Sequence, residues 1–313
     1  MKKLIIGGAG FIGSSLIGKM LQDNINVIVI DKLSLGSTDF IDTARVEFHQ
    51  IDVNNTEKVL EVLQGNEIDE VWHLAANSDI PAGVGNLSVD LYDTFMSTVS
   101  TLEIMRKINC KKLYFASSSA VYGVNKNRLH EDIGPLMPIS NYGAMKLSSE
   151  ALISASLESF LDKVCIYRFP NVVGVPATHG VILDFINKLK KDMSRLDVLG
   201  NGTQQKTYLH VSELVEAMLF INKNTNNGMN YFNIGAMDDG VFVKQIAEET
   251  TKMISPDAII NYQKTDRGWV GDVPRFYYSV DKLKDLGWTP KMSSLEAIKR
   301  AIREIAYQEH IYK

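Results

Sequence analysis

Tyr142 and Lys146 stand four residues apart in the run NYGAMK at 141–146, a spacing that puts both side chains on one face of a helix. A phenol is a poor base at neutral pH, with an unperturbed pKa of about 10. An ammonium one turn away favours the phenolate and draws that value towards the working range. Tyr142 then becomes a base able to take the proton of an alcohol. The same spacing also arises between two surface residues of a helix, so the pair needs a second motif beside it. One is present in FASSSAVYG at 115–123, where Ser117, Ser118 and Ser119 directly follow a predicted strand. Serines at a strand end also cap turns. A hydroxyl at that position can equally donate to a developing carbonyl oxygen and pass a proton to the phenolate.

An alcohol that loses its proton to a base must lose a hydride to become a ketone, and the first residues of the chain supply a place for the acceptor. Residues 1–31 read as strand, glycine-rich turn, helix and second strand. Gly7, Gly10 and Gly13 keep a three-residue spacing. In such a turn the first glycine makes the tight bend, the second admits a pyrophosphate close to the backbone, and the third lets the helix pack closely. The helix over 11–21 would aim its free N–H groups and positive dipole end at a dinucleotide diphosphate. Asp31 ends the second strand, roughly 20 residues past the glycines, where a carboxylate accepts both hydroxyls of an adenosine ribose. That acid would repel a 2′-phosphate, so NAD is expected rather than NADP. Lys32, the next residue, keeps NADP open as the lesser alternative. Lys146 would also hold the nicotinamide ribose, and the positive charge of the oxidised ring would act together with its ammonium in favouring the Tyr142 phenolate.

The elements that must position these groups alternate along the first half. Strands are predicted over 46–49, 70–74, 112–117 and 164–169, with helices over 55–64, 88–107 and 141–160. That alternation predicts an α/β fold with a doubly wound parallel sheet, its strand C-termini gathered along one edge. Asp31, Asp52, Ala75, Ala76, Ser117, Ser118 and Asn171 all follow predicted strands and meet at that edge. After Pro170 the pattern becomes irregular, with helices expected over 181–191, 212–222, 241–253 and 293–307. We divide the chain into a cofactor domain over 1–170 and a mainly substrate-binding portion over 171–313, some of whose elements return to the first domain.

Composition narrows the partners. The 313 residues carry a formal net charge of −4 and a pI near 5.9, which argue against nucleic acid or an anionic membrane surface as the main partner. No apolar run reaches membrane-spanning length, and residues 1–4 lead straight into a strand with no secretory signal, so the cytoplasm is the expected compartment. Cys110 and Cys165 match no metal spacing and are expected as reduced, buried thiols. The six histidines form no zinc-binding pattern, and no metal site is expected.

Taken together, GGAGFIG, Asp31, IDV at 51–53, HLAA at 73–76, SSSAVYG, NYGAMK, RFPNVVG at 168–174 and the late GDVP and LGWTP resemble the extended short-chain dehydrogenases/reductases, in the nucleotide-sugar epimerase/dehydratase group. The resemblance spans essentially the full length and implies a Rossmann-type fold, NAD, a nucleotide-sugar substrate and a homodimer formed through helices 88–107 and 141–160. By position it assigns catalysis to Ser118, four residues before the tyrosine of VYG, with Tyr142 and Lys146; Ser119 is the alternative. It places Asp52 and Val53 against adenine and lines the cofactor groove with Phe11, Ile12, Leu74, Ala75, Ala76 and Ser117. On the substrate side it implies Ser119, Asn171 and Val181, with Lys206 standing where many members have arginine. A lysine offers a point charge instead of a bidentate fork. Arg267, Asp272 and Arg275 would complete the contacts to the diphosphate and nucleoside ribose.

The sequence also departs from its likenesses. Dehydratases of the group carry Thr-Asp-Glu where this chain has Ser118, Ser119 and Ala120, which leaves dehydration without its acids. Ser97 replaces a common asparagine. The wording of 139–146, 168–174, 178–182 and 267–276 resembles a subgroup from surface-polysaccharide synthesis that acts on GDP-activated manno-heptose. On that resemblance we expect oxidation at C4 of a GDP-linked heptose or hexose to a 4-keto sugar, with a 4-epimerase as the alternative and a non-catalytic NAD-sensing scaffold as a third reading.

Overall fold

The computed structural model describes residues 1–265, 273 and 275–311. Arg267 and Asp272 lie outside the described residues. In chain order the first half runs β1 (Lys2–Ile6), α1 (Phe11–Gln22), β2 (Asn26–Asp31), β3 (Glu47–Gln50), α2 (Thr56–Val62), β4 (Glu70–His73), α3 (Ile80–Gly85), α4 (Leu87–Asp90), α5 (Ser97–Lys107), β5 (Lys112–Ala116), α6 (Asn141–Leu157) and β6 (Lys163–Arg168). The second half runs β7 (Asn171–Val173), α7 (Val181–Lys191), β8 (Arg195–Val198), β9 (Gln205–Lys206), β10 (Tyr208–His210), α8 (Val211–Asn224), β11 (Gly228–Asn233), β12 (Val241–Phe242), α9 (Val243–Ile254), β13 (Ile259–Tyr262), α10 (Asp281–Leu286) and α11 (Ser294–Gln308).

Seven strands form one sheet in the order β11-β6-β5-β4-β1-β2-β3, and all its pairings are parallel. This is the Rossmann-type doubly wound arrangement, with β11 from the late, irregular part of the chain added at the β6 edge. Side chains alternate between the two faces. Ile5, Val29, Trp72 and Tyr167 pack on one side with Leu16 and Met20 of α1 and Met218 of α8. Leu4, Ile6, Ile28 and Phe115 pack on the other with Val59 of α2, Ile104 of α5 and Ile153 of α6. Each such side chain contributes about 1.5–3 kcal/mol by leaving water, which is why the strands read as near-continuous apolar runs. A third core joins α7, α9 and α11, including Phe185, Ile246 and Ile302.

Strand order reverses between β1 and β4, the point at which open α/β sheets form their ligand crevice. The two strand ends meet closely there. Leu74 and Ala75 both donate to the Ile6 carbonyl, at 2.8 and 3.0 Å, which ends β4 at His73 instead of residue 74.

Two stretches differ from the sequence expectation. The predicted helix 88–107 is broken into α4, a π-helical turn over Leu91–Met96, and α5. Ser97 Oγ donates to the Asp93 and Thr94 carbonyls at 2.9 and 3.0 Å, and Thr98 Oγ1 donates to Thr94 O at 3.1 Å. Hydroxyls bonded back in this way compete with the regular ladder and widen the turn. In the other stretch, Ile80–Gly85 is helical despite Pro81, Gly83 and Gly85, because Pro81 sits in the first turn and the Asp79 carboxylate caps Ala82 N.

Candidate active site

One cleft of about 850 Å³ crosses the C-terminal edge of the sheet, lined at one end by Gly7, Asp31 and Lys32, in the middle by Ser118, Tyr142 and Lys146, and at the other by Asn171, Val181 and Lys206. The walls also include Phe11, Ile12, Asp52, Val53, Leu74, Ala75, Ala76 and Ser119. Residues predicted from three parts of the chain therefore share a single space.

The glycine turn is shaped by close backbone approach. Gly7 has φ +80°, and a Cβ there would sit 2.5 Å from the Ala75 nitrogen across the strand reversal. A Cβ on Gly13 would lie 2.7 Å from Gly8 Cα. At Gly10 the only neighbour within range is Gly7 O at 3.5 Å, so the space above this residue is open. Gly10 is also the N-cap of α1 and offers no side chain to the first helical N–H groups. Those donors need an acceptor, and an anion over Gly10 satisfies them. The cradle fits a dinucleotide diphosphate.

Asp31 is aimed by the backbone: its Oδ2 accepts Ala9 N–H at 2.9 Å and its Oδ1 accepts Leu33 N–H at 2.8 Å. Lys32 pairs with other acids. The Lys32 ammonium lies 2.5 Å from Asp93 and 3.6 Å from Asp52. Burial lowers its pKa, but the two carboxylates outweigh that and raise it. This cation is engaged, which removes the argument that kept NADP open.

The catalytic candidates come together because α6 packs directly on the serine loop. Ser140 Oγ caps α6 by accepting Gly143 N–H at 3.1 Å, and a Cβ on Gly143 would come within 2.6 Å of Ala120 O. Glycine after Tyr142 is what allows that approach. Ser118 is itself the cap of the 3₁₀ turn Ser119–Tyr122, accepting Ala120 N–H at 3.1 Å. Its hydroxyl also lowers the Tyr142 pKa.

Burial pushes the half-buried Tyr142 hydroxyl up to about 12; the Ser118 hydroxyl pulls it down and Asp90 pushes it up. Lys146 is fully buried, its Nζ donating to Ala116 O at 2.6 Å and lying 5.9 Å from the Tyr142 ring centre. Burial lowers its pKa to about 7, against the raising influence of Glu150. The sequence expectation joins Lys146 with the positive charge of an oxidised nicotinamide ring; with the protein's own groups alone the phenol lies above its ordinary value. Desolvation acts against both charged forms. Nearby His73 is held neutral, lowered to about 3 first by burial and then by Lys146.

Two predicted site residues lie apart from the cleft. Ser117 is fully buried and its hydroxyl donates to Glu150 Oε1 at 2.5 Å, so it faces the protein interior and not the cofactor groove. Arg275 is exposed and its guanidinium stacks 5.4 Å over the Phe242 ring, outside the cleft wall. The structure adds residues that sequence reasoning passed over. Asn77, Asp79, Asp93, His179 and Gln204 line the cleft, and Gly36 abuts it where a Cβ would meet Ala9 O at 2.5 Å. Only Gly36, in a turn after β2, left a local signal.

Among the described residues no group of His, Cys, Asp or Glu is placed to hold a metal ion, and no helix is long and apolar enough to cross a membrane.

The chain is 30% identical over 304 residues to a putative UDP-glucose 4-epimerase of Methanocaldococcus jannaschii, with 96% of each chain covered. It is 27% identical over 322 residues to the dTDP-D-glucose 4,6-dehydratase of Homo sapiens, covering 99% of this chain and 91% of that one. A crystal structure of a UDP-galactose 4-epimerase superposes with a TM-score of 0.88 at 32% identity, covering 98% of this chain and 99% of that one. Residues 3–235 match the NAD dependent epimerase/dehydratase family. With the glycine cradle, the aimed Asp31 and the Ser118–Tyr142–Lys146 centre in one cleft, the chain belongs to that family.

Proposed function

We propose that this protein is an NAD-dependent nucleotide-sugar 4-epimerase acting on a UDP-linked hexose. One observation carries the reading: Ser118, Tyr142 and Lys146 stand midway along a cleft whose one end is a dinucleotide cradle and whose other end presents Asn171, Val181 and Lys206. The likeness over the full length to a UDP-glucose and a UDP-galactose 4-epimerase supports the same reading. It also reverses the order set by the sequence, which placed a GDP-heptose 4-dehydrogenase first. Residues 1–170 then serve chiefly the cofactor and residues 171–313 the sugar nucleotide.

NAD, when bound, accepts the hydride from C4 and brings positive charge beside Tyr142. The remaining work falls to the chain. Tyr142 takes the proton of the sugar O4, and Ser118 donates to the oxygen as it becomes a carbonyl. Lys146 offsets the phenolate charge. After the 4-keto sugar turns over, Tyr142 returns the proton to O4; NAD would take and give back the same hydride at C4, so no external oxidant is needed. Neither Ser119 nor Ala120 supplies the acid pair that a dehydratase needs.

The test is incubation of the purified protein with UDP-glucose, UDP-galactose and a panel of GDP-sugars, followed by chromatography of the products and the absorbance of reduced nicotinamide. Interconversion of the two UDP-sugars with no lasting absorbance supports the proposal. A persistent band with a released keto sugar makes the enzyme a dehydrogenase, and no change in any sugar overturns both.

A further inference from the structure

Below the serine loop lies a group of buried side chains that the reaction as described does not use. Glu150 follows Lys146 by one turn of α6 and is 6% exposed. Its Oε1 accepts from Ser117 Oγ at 2.5 Å and from Arg168 Nε at 3.0 Å, while its Oε2 accepts from Arg168 Nη2 at 2.6 Å. The guanidinium is completed by Nη1, which donates to Tyr122 Oη and to the Glu131 carbonyl, each at 3.0 Å. One carboxylate thus ties together the end of β6, the residue before Ser118, and the helix that carries Tyr142 and Lys146.

We infer that Glu150 is a positioning residue of this site, holding the serine loop through Ser117 and the end of β6 through Arg168 while it sets a carboxylate one turn of α6 from Lys146. The inference rests on the proposed 4-oxidation for its catalytic consequence, but not for its electrostatics.

Stability alone does not account for the carboxylate. A buried ion pair repays its desolvation poorly, and apolar replacements of similar volume are often as stable. Its location does account for it. Lys146 has Ala116 O as its hydrogen-bond acceptor and the faces of Phe115 and Tyr142 beside it, at 4.6 and 5.9 Å. Of the ionisable groups around it, His73 on β4 is held neutral, Tyr142 rests protonated, and Arg168 on β6 is a cation. Asp90, from α4, acts on Tyr142. Glu150 is the counter-charge that raises Lys146 against burial. Without it, burial would draw the amine further below its ordinary value and leave less charge to offset the phenolate.

The test uses the full chain with lysines carrying 13C at Cε. The Lys146 resonance is identified by its loss in Lys146→Arg. We expect that resonance to titrate near neutral pH in the parent and about one pH unit lower or more in Glu150→Gln. The alkaline limb of kcat should move down by the same interval, with about a tenfold loss at neutral pH. Glu150→Asp should recover part of the shift, and Ser117→Ala should lower kcat without moving the titration. A folded Glu150→Gln whose Lys146 titrates as in the parent overturns the inference. Where Glu150→Gln does not fold because Arg168 is left unpaired, Glu150→Gln with Arg168→Gln is compared with Arg168→Gln alone, so that the difference between them reports the carboxylate with no guanidinium beside it. If no sugar nucleotide is turned over, the proposed reaction fails while the titration still decides the role of Glu150.

Discussion

Lys32 and Asp93 are joined at 2.5 Å across the adenosine end of the cleft, although 61 residues separate them in sequence. The cation next to Asp31 is thereby taken up, with Asp52 sharing it at 3.6 Å. A 2′-phosphate would meet the Asp31 carboxylate and find Lys32 already engaged. Asp31→Ala is expected to weaken NAD by about 1.5–3 kcal/mol, roughly ten- to a hundredfold in Kd, and NADP far less. Asp93→Asn should release Lys32 and narrow the preference from the other side. Calorimetric titration with both cofactors decides it, and equal losses in Asp31→Ala would sink the assignment.

Tyr142→Phe removes the proposed base while leaving the ring that packs near Lys146. Turnover of a UDP-hexose should fall by about 10²–10⁴, with cofactor affinity unchanged. A variant within tenfold of the parent would mean that another group takes the proton.

Lys146 imposes a cost on folding whose pH dependence can be measured. Its unfolded value is 10.5 and its folded value about 7. Below pH 7 both states hold the proton, and the folded chain bears the full penalty of a buried charge. As pH rises from 7 towards 10.5 the folded state has released the proton and the unfolded state has not, so the penalty shrinks. Lys146→Met should therefore raise Tm, and by more at about pH 6 than at about pH 9, while activity is lost. An equal gain at both pH values would show that the lysine is not held near neutrality.

The parts of this site that were legible in the sequence are those with local spacing. Gly7, Gly10 and Gly13, Asp31 at the end of β2, and Tyr142 with Lys146 one helical turn apart each announce themselves within one element. What was hidden depends on distant partners or on orientation. Ser117 and Ser118 are identical in type, yet one hydroxyl serves Glu150 and the other faces the cleft. The Lys32–Asp93 pair could not be seen without the fold. The π-helical turn at Leu91–Met96 escaped because hydrophobic periodicity does not register hydroxyls that bond back to the chain, and α3 was hidden by Pro81 and two glycines.

Gly10 and Gly13 should separate binding from folding. A methyl at Gly10 meets little of the protein, whereas one at Gly13 presses on Gly8. Gly10→Ala is expected to keep the parent Tm without ligand and lose most of its NAD affinity, because the methyl fills the space above the α1 N-terminus. Gly13→Ala should lower Tm by itself, overpacking costing typically about 1–3 kcal/mol. Thermal melts with and without NAD distinguish the two, and undiminished NAD stabilisation of Gly10→Ala would place the diphosphate elsewhere.

Gly83 is the point at which α3 closes on the helix of the proposed base. Its carbonyl accepts Asn141 Nδ2 at 2.8 Å, one residue before Tyr142. A methyl at this position would fall on the Asp90 carboxylate. That carboxyl is fully buried, its Oδ1 accepting from Asn77 Nδ2 at 2.9 Å and its Oδ2 left without a hydrogen-bond partner among the described residues. Burial first, and Asp93 as well, push it up, against the lowering bond from Asn77. Gly83→Ala must therefore displace either the carboxyl or α3, which carries Ile80 and Pro81 on the cleft wall. A displacement of about 1 Å near the reacting groups can cost roughly a hundredfold in rate, so kcat should fall sharply while NAD still binds. Removing the obstruction in Gly83→Ala with Asp90→Ala should restore part of the loss, giving a coupling of about 0.5–3 kcal/mol between the two positions. Strict additivity in that double-mutant cycle would show that Asp90 does not set where α3 rests against Tyr142.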